Sequence, residues 1–185
     1  EEEGKTIALS YLKERKFKGD IIEKFEIGYS VKSKDNFSKA AIDAGYKLNF
    51  LEKTGLTIVK DSENIDRFRG RVVFPIKSMS GRILGFGGRI LGSSKNLAKY
   101  INSPESLIYQ KSKVLYGIYE SKQSIVKNDN CFLVEGYTDV IKMHQCGISN
   151  VVASSGTALT ENQIRLINRL TTVSYTHLRA HETSE

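Results

Sequence analysis

Between Cys131 and Leu170 the hydrophobic positions change their period twice, and each change marks an element. Cys131-Phe132-Leu133-Val134 is an unbroken apolar run, the pattern of a strand buried on both faces. It stops at an acid, Glu135, followed by Gly136, which permits backbone angles that a side chain would forbid. Val140, Ile141 and His144 then fall on one face of a short helix, and Gly147 stands where a helix stop belongs. A second apolar strand spans Ile148 to Ala153 and runs into the small polar loop Ser154-Ser155-Gly156-Thr157. Thr160 and Gln163 form a capping-box pattern ahead of a helix whose apolar side is Ile164, Ile167 and Leu170. Strand, helix, strand, helix predicts a parallel βαβα unit.

Upstream the pattern is more broken. The first 60 residues read as short helices. Ile7, Ala8, Tyr11 and Leu12 share a face, Asp20 caps Ile21 to Phe25, Ser38 to Ala44 ends at Gly45, and Phe50 to Lys53 ends near Gly55. Val72-Val73-Phe74 and Arg82-Ile83-Leu84 flank a turn at Lys77 to Gly81 and predict a β-hairpin or meander over residues 67 to 91. Pro75 cannot donate to a ladder, which puts its strand at an edge or a bulge. Gly85-Phe86-Gly87-Gly88 lacks the Lys-Ser/Thr of a phosphate-binding loop and the spacing of a dinucleotide fingerprint. Its glycines are expected to bring backbone close to a ligand or to bend the strand, leaving Arg89 to face a site.

Charge sharpens this picture more than composition does. The 185 residues are 39% hydrophobic and 26% charged, ordinary for a globular chain, with a net charge of +7. Between Arg67 and Lys113 stand ten bases (Arg67, Arg69, Arg71, Lys77, Arg82, Arg89, Lys95, Lys99, Lys111, Lys113) against one acid, Glu105. Interleaved with Phe68, Tyr100 and Tyr109, that block predicts contact with nucleic acid or nucleotide rather than a merely solvated face. No apolar stretch approaches the roughly 20 residues of a membrane span, and the opening Glu-Glu-Glu-Gly is unlike a signal peptide, so a cytoplasmic protein is expected. Cys131 and Cys146 are expected as reduced thiols, and no Cys/His spacing suits structural zinc.

Glu135 is the acid most clearly placed by its surroundings, because in open α/β sheets ligand chemistry sits outside the carboxyl ends of the strands. Asp139 follows in the first helical turn, where the helix dipole alone would favour an acid. Converging carboxylates suit Mg²⁺, which takes hard oxygen ligands and keeps several waters.

Glu135-Gly136-Tyr137-Thr138-Asp139-Val140, then His144-Gln145, Gly147-Ile148 and Gly156-Thr157-Ala158-Leu159-Thr160, resemble the opening half of the Toprim domain of bacterial DNA primases. Arg67-Phe68-Arg69-Gly70-Arg71, Phe74-Pro75-Ile76, Gly85-Phe86-Gly87-Gly88-Arg89, Lys99 to Glu105 and Leu115-Tyr116-Gly117 resemble the basic subdomain that precedes it. The resemblance covers some 170 residues in the family's order. It implies an α+β basic subdomain over 1–128, followed over 129–173 by the first half of an α/β Toprim fold, the parallel βαβα unit. The tail 174–185 lacks the family's Asp-Gly-Asp motif and is expected to be foreign to the domain.

The same resemblance implies a nucleotidyltransferase that makes short RNA primers on a single-stranded DNA template from ribonucleoside triphosphates, with Mg²⁺ or Mn²⁺. Glu135 and Asp139 would be catalytic and metal-binding, Arg67, Arg69, Arg89, Lys99, Asn102 and Lys111 would contact template or nucleotide, and Lys24, where the family often carries a basic residue, would be a lesser substrate contact. A monomer without membrane contact is implied. So are an N-terminal zinc-binding domain and a C-terminal segment that meets the replicative helicase, both missing from this chain, which is expected to be inactive alone. Two alternatives stand beside this: a non-catalytic single-stranded-DNA-binding module, and another Toprim enzyme such as a topoisomerase or nuclease.

Overall fold

The computed structural model describes residues 2–92, 97–154, 156, 158–172 and 175–178, with backbone alone at 2–5 and 175–178. In chain order the elements are α1 (Glu2–Glu14), α2 (Gly19–Lys24), β1 (Gly28–Ser30), α3 (Asn36–Asp43), α4 (Leu48–Lys53), β2 (Thr57–Lys60), β3 (Glu63–Asp66), β4 (Arg71–Lys77), β5 (Ile83–Ile90), β6 (Tyr100–Asn102), a 3-10 turn (Lys111–Lys113), α5 (Ile118–Asn128), β7 (Cys131–Val134), α6 (Tyr137–Gln145), β8 (Val151–Ala153), α7 (Glu161–Asn168) and β9 (Tyr175–Leu178). The chain divides into two compact units. One comprises Glu1–Lys16, Glu26–Pro75 and Gly85–Tyr109; the other comprises Phe17–Phe25, Ile76–Leu84 and Gln110–Glu185. Among the described residues no helix is long and apolar enough to cross a membrane.

The first unit is α+β. The expected hairpin appears as β4 and β5, neighbours in a sheet of order β1-β4-β5-β6. β4 is therefore central rather than an edge strand. Pro75 is accommodated because β1 pairs only with Arg71 to Val73, two residues short of it. The glycines of β5 serve packing. A Cβ on Gly88 would sit 2.5 Å from the Phe68 ring, and one on Gly85 would sit 2.9 Å from the Tyr109 ring. Their expected part in approaching a ligand or bending the strand gives way to aromatic rings lying on bare backbone. Arg71, counted above in the basic block, is buried and donates to the carbonyls of Ala98, Gly88 and Lys99. It serves the fold.

The short helices form close to where the pattern put them. Among the described side chains of α1 only Ala8 and Leu12 are deeply buried, while Ile7 is exposed, so the buried stripe is narrower than expected. Sequence pattern missed the antiparallel β2–β3 hairpin, whose turn residues Asp61 and Ser62 both have φ near the left-handed region, at 50° and 64°. That geometry favours Asn-Gly, and its absence hid the turn. The hairpin ends on Asp66, a buried carboxylate that accepts from the N–H groups of Phe37 and Ser38 at 2.7 and 2.9 Å and from the Ser38 hydroxyl. Asp66 thus satisfies the first turn of α3 from 28 residues away, while Asp35 in the cap position makes no capping bond.

The second unit carries the parallel sheet, of order β8-β7-β9, with both β8 and β9 parallel to β7. Its core joins Leu115, Ile118, Ile125, Cys131, Leu133, Val152 and Ile167. Gly147 takes φ 86° and closes α6 as expected. β8 begins at Val151 rather than Ile148, which is 40% exposed. The expected capping box of Thr160 and Gln163 opens α7. Residues 174–185 were expected to stand apart; Tyr175–Leu178 form β9 against β7, and residues 179–185 lie outside the described residues. α2 starts two residues earlier than expected, with Asp20 in its first turn rather than capping it.

His144 is held in one tautomer by its neighbours. Ser121 Oγ gives its only proton to the Val151 carbonyl at 2.6 Å, so at 2.9 Å it accepts from His144 Nε2–H. Nδ1 then accepts from the Lys24 ammonium at 3.2 Å, and the Phe25 ring packs edge-on at 4.9 Å. Lys24, a lesser substrate candidate by sequence, is occupied in this cluster. Burial first, and then the Lys24 charge, lower the His144 pKa from 6.5 to about 4.

A depressed histidine pKa contributes nothing above pH 6.5, where the ring is neutral in both states. Below that the unfolded chain takes up a proton that the folded chain refuses until about pH 4. Stability should therefore fall by on the order of 2 kcal/mol between about pH 7.5 and pH 5. Urea unfolding at the two pH values measures it, and His144→Gln should flatten the dependence.

Candidate nucleic-acid and metal site

Register fixes which side chains of the first unit share a face. β5 and β6 pair Gly87 with Asn102 and Arg89 with Tyr100, and side chains two apart on a strand point the same way. Arg89, Tyr100 and Asn102 therefore lie on one face, with Gly87 leaving the space opposite Asn102 unfilled by a side chain. Arg89 is 7% exposed, and its guanidinium sits 4.8 Å from the Tyr11 ring centroid and 5.5 Å from that of Tyr100. Its Nε and Nη1 are buried and make no hydrogen bond among the described residues. A guanidinium stacked on π faces has its donors in the plane of its fork, a geometry that phosphate matches.

The other bases of this unit differ in setting. Arg67 is half-buried; its Nε and the ring of Pro104 both approach Gly55, so it stands near the segment that leaves β6. Arg69 is exposed and donates to the Asp66 carbonyl at 3.3 Å. Lys99 is exposed at the start of β6, where its carbonyl accepts from Ile90 N–H. Tyr11 had no signal in the sequence beyond its place on a helix, since nothing local ties it to a residue 78 positions later. Lys95 lies outside the described residues.

In the second unit, β7 is the middle strand, with β8 and β9 on opposite sides. Strand order thus reverses at β7, and Glu135, exposed, leaves its carboxyl end. That is the position at which open α/β sheets place their ligands. Gly136 departs from expectation: its φ of −130° and ψ of 166° are extended backbone open to any residue. What its lack of a side chain allows is closeness, because a Cβ there would lie 3.3 Å from Asp139 Oδ2. Asp139 Oδ2 accepts from Gly136 N–H at 3.2 Å, which satisfies one of the open donors at the start of α6.

Glu135 and Asp139 therefore flank one strand-to-helix junction. Among the described residues no three of His, Cys, Asp or Glu converge. Two hard carboxylates, one with an oxygen already committed, fit a single Mg²⁺ that retains most of its water. Lys111 lies in the 3-10 turn Lys111–Lys113, whose backbone is tied to α7. Cys131 is buried in β7, where burial pushes its thiol up to about 12, and Cys146 is exposed; both are free thiols as expected.

Comparison with known proteins agrees with this geometry. Residues 1–122 match the family described as DNA primase catalytic core, N-terminal domain, and residues 130–178 match the Toprim domain. A DNA primase of Halalkalibacterium halodurans is 43% identical over 170 residues, covering 91% of this chain and 28% of that protein. The RNA polymerase domain of the Mycobacterium tuberculosis primase superposes with a TM-score of 0.88 at 34% identity, covering 94% of this chain and 59% of the other. A primase catalytic domain bound to single-stranded DNA gives 0.82 at 37% identity, covering 94% and 56%. The chain thus spans little more than a quarter of the curated relative and over half of the solved domains.

Replacing Asp139 by alanine removes both the acceptor for Gly136 N–H and a negative charge in the first turn of α6. Stability should drop by about 1 kcal/mol, whereas Asp139→Asn, which keeps an oxygen acceptor, should cost about half that. Urea midpoints of the two variants provide the check.

Proposed function

The chain belongs to the DNA primase catalytic-core family, and on that premise we propose that it takes part in template-directed synthesis of short RNA primers on single-stranded DNA during replication. The observation that carries this reading is Arg89, buried between two tyrosine rings with its Nε and Nη1 unbonded among the described residues, on the same sheet face as Asn102. Such a face suits a phosphate backbone or a triphosphate. The family match over residues 1–122 removes the topoisomerase and nuclease alternative.

In this reading Arg89, Arg67, Arg69, Lys99, Asn102 and Lys111 contact template or ribonucleoside triphosphate. Arginines supply bidentate forks and lysines supply point charges. Glu135 and Asp139 hold Mg²⁺ or Mn²⁺, and Glu135 is the catalytic carboxylate. A divalent ion bound there supplies neutralisation of the triphosphate and a lowered pKa for the attacking hydroxyl. The side chains do the rest by holding two anionic reactants in line, which is most of what phosphoryl-type transfer asks of a protein. We place the division between the basic subdomain and the Toprim fold at residues 128/129. The protein works as a cytoplasmic monomer, with zinc binding and contact to the replicative helicase assigned to segments outside this chain.

Binding to a single-stranded oligonucleotide should weaken steeply with salt, because each neutralised phosphate releases counterion. Arg89→Ala and Lys111→Ala should each lower the slope of log affinity against log salt by about 0.7; an unchanged slope in both would move the nucleic acid elsewhere.

In a catalytic core of the length of the solved relatives, Glu135→Gln should reduce primer synthesis by at least ~10³-fold while single-strand affinity stays within about twofold. Glutamine keeps the size and loses the charge. Primer yield near the unsubstituted level would sink the assignment of Glu135.

A further inference from the structure

The capping box of α7 does more than start a helix. Gln163 is fully buried, a rare place for a carboxamide, and both its Oε1 and its Nε2 are hydrogen-bonded. Its Oε1 accepts from Thr160 N–H at 3.0 Å, which is ordinary capping. Its Nε2 donates outward, to the carbonyls of Lys111 at 3.2 Å and Val114 at 2.8 Å. Thr160 Oγ1 accepts from Gln163 N–H at 3.2 Å and passes its own proton to the Ser112 carbonyl at 2.6 Å. Three carbonyls out of four consecutive residues are thereby fixed by two side chains some 50 positions away.

Those four residues are Lys-Ser-Lys-Val, the 3-10 turn that carries Lys111 and Lys113. Two lysines on one short turn lose much rotamer and backbone freedom if they are to meet a phosphate chain, and a turn of one 3-10 hydrogen bond, Lys113 N–H to Gln110, cannot hold its own shape. A buried carboxamide locked to its carbonyls removes that cost before the ligand arrives, as preorganisation requires.

We infer that Gln163, with Thr160, is a positioning residue for Lys111: it sets the backbone of the Lys111–Lys113 turn so that the lysine meets the phosphates of nucleic acid or nucleotide. The inference rests on the proposed role of Lys111. Gln163 touches no substrate. It acts through the carbonyl groups that it and Thr160 hold in register.

The test is a double-mutant cycle on this chain, read as affinity for a fluorescein-labelled single-stranded oligonucleotide across a salt series. Lys111→Ala should weaken binding by roughly fivefold and reduce the salt slope. Gln163→Met, close in size but unable to donate, should weaken binding by roughly threefold or more on the unsubstituted background and by less than about 1.5-fold on Lys111→Ala. Thr160→Val should behave likewise, and Thr160→Ser, which keeps the hydroxyl, should restore binding. Urea unfolding confirms that each variant is folded, and Thr160→Val with its serine rescue carries the test if Gln163→Met does not fold. A residue that only stabilises the fold gives losses that add to Lys111→Ala, and that additivity would overturn the inference. If Lys111→Ala itself leaves binding and slope unchanged, the role of Lys111 fails and the positioning role fails with it.

Discussion

β7 has neighbours along both edges and apolar side chains on both faces, and every placement in the second unit follows from that burial. A strand buried over most of its length can carry polar chemistry only where it ends. Glu135 occupies that end, at the point where the chain has turned to β8 on one side and β9 completes the sheet on the other. The α6 helix begins at once, so Asp139 enters the same junction, tied to it through Gly136 N–H. The core behind the sheet, from Leu115 through Ile167, fixes the strand ends and with them the acids.

Several buried polar groups in both units are satisfied from a distance rather than by sequence neighbours. Asp66 opens α3, Arg71 binds the carbonyls between β5 and β6, His144 bridges Ser121 and Lys24, and Gln163 holds the turn before α5. An unpaired buried donor or acceptor costs about 1–3 kcal/mol, so each such bond narrows the set of packings the chain can adopt. The basic block divides along the same line. Arg71 is consumed by backbone carbonyls and Lys77 by Glu120 at 3.0 Å, whereas Arg89 lies against two tyrosine rings with two buried donors unbonded among the described residues. Ten bases in a row of sequence are not ten ligand contacts.

The sequence by itself determined what depends on local period and local chemistry. An apolar run that stops at an acid made β7 and Glu135 legible; the Thr160–Gln163 spacing made the α7 cap legible; the order of motifs made the primase family legible. Tertiary structure alone decided what depends on residues far apart meeting. The β2–β3 hairpin has a turn whose Asp61 and Ser62 lack the usual glycine signal, and its worth lies in Asp66 reaching α3. The glycines of β5 make room for Phe68 and Tyr109, and Gly136 for a carboxylate, which no run of one-letter codes distinguishes from a flexible turn. Tyr11 beside Arg89, and Gln163 beneath Lys111, join positions 78 and 52 residues apart. Local pattern is set by the alternation of a few neighbouring side chains, but contacts at such separations exist only once the chain has closed on itself, and that closure is what chose which charges are bound within the fold.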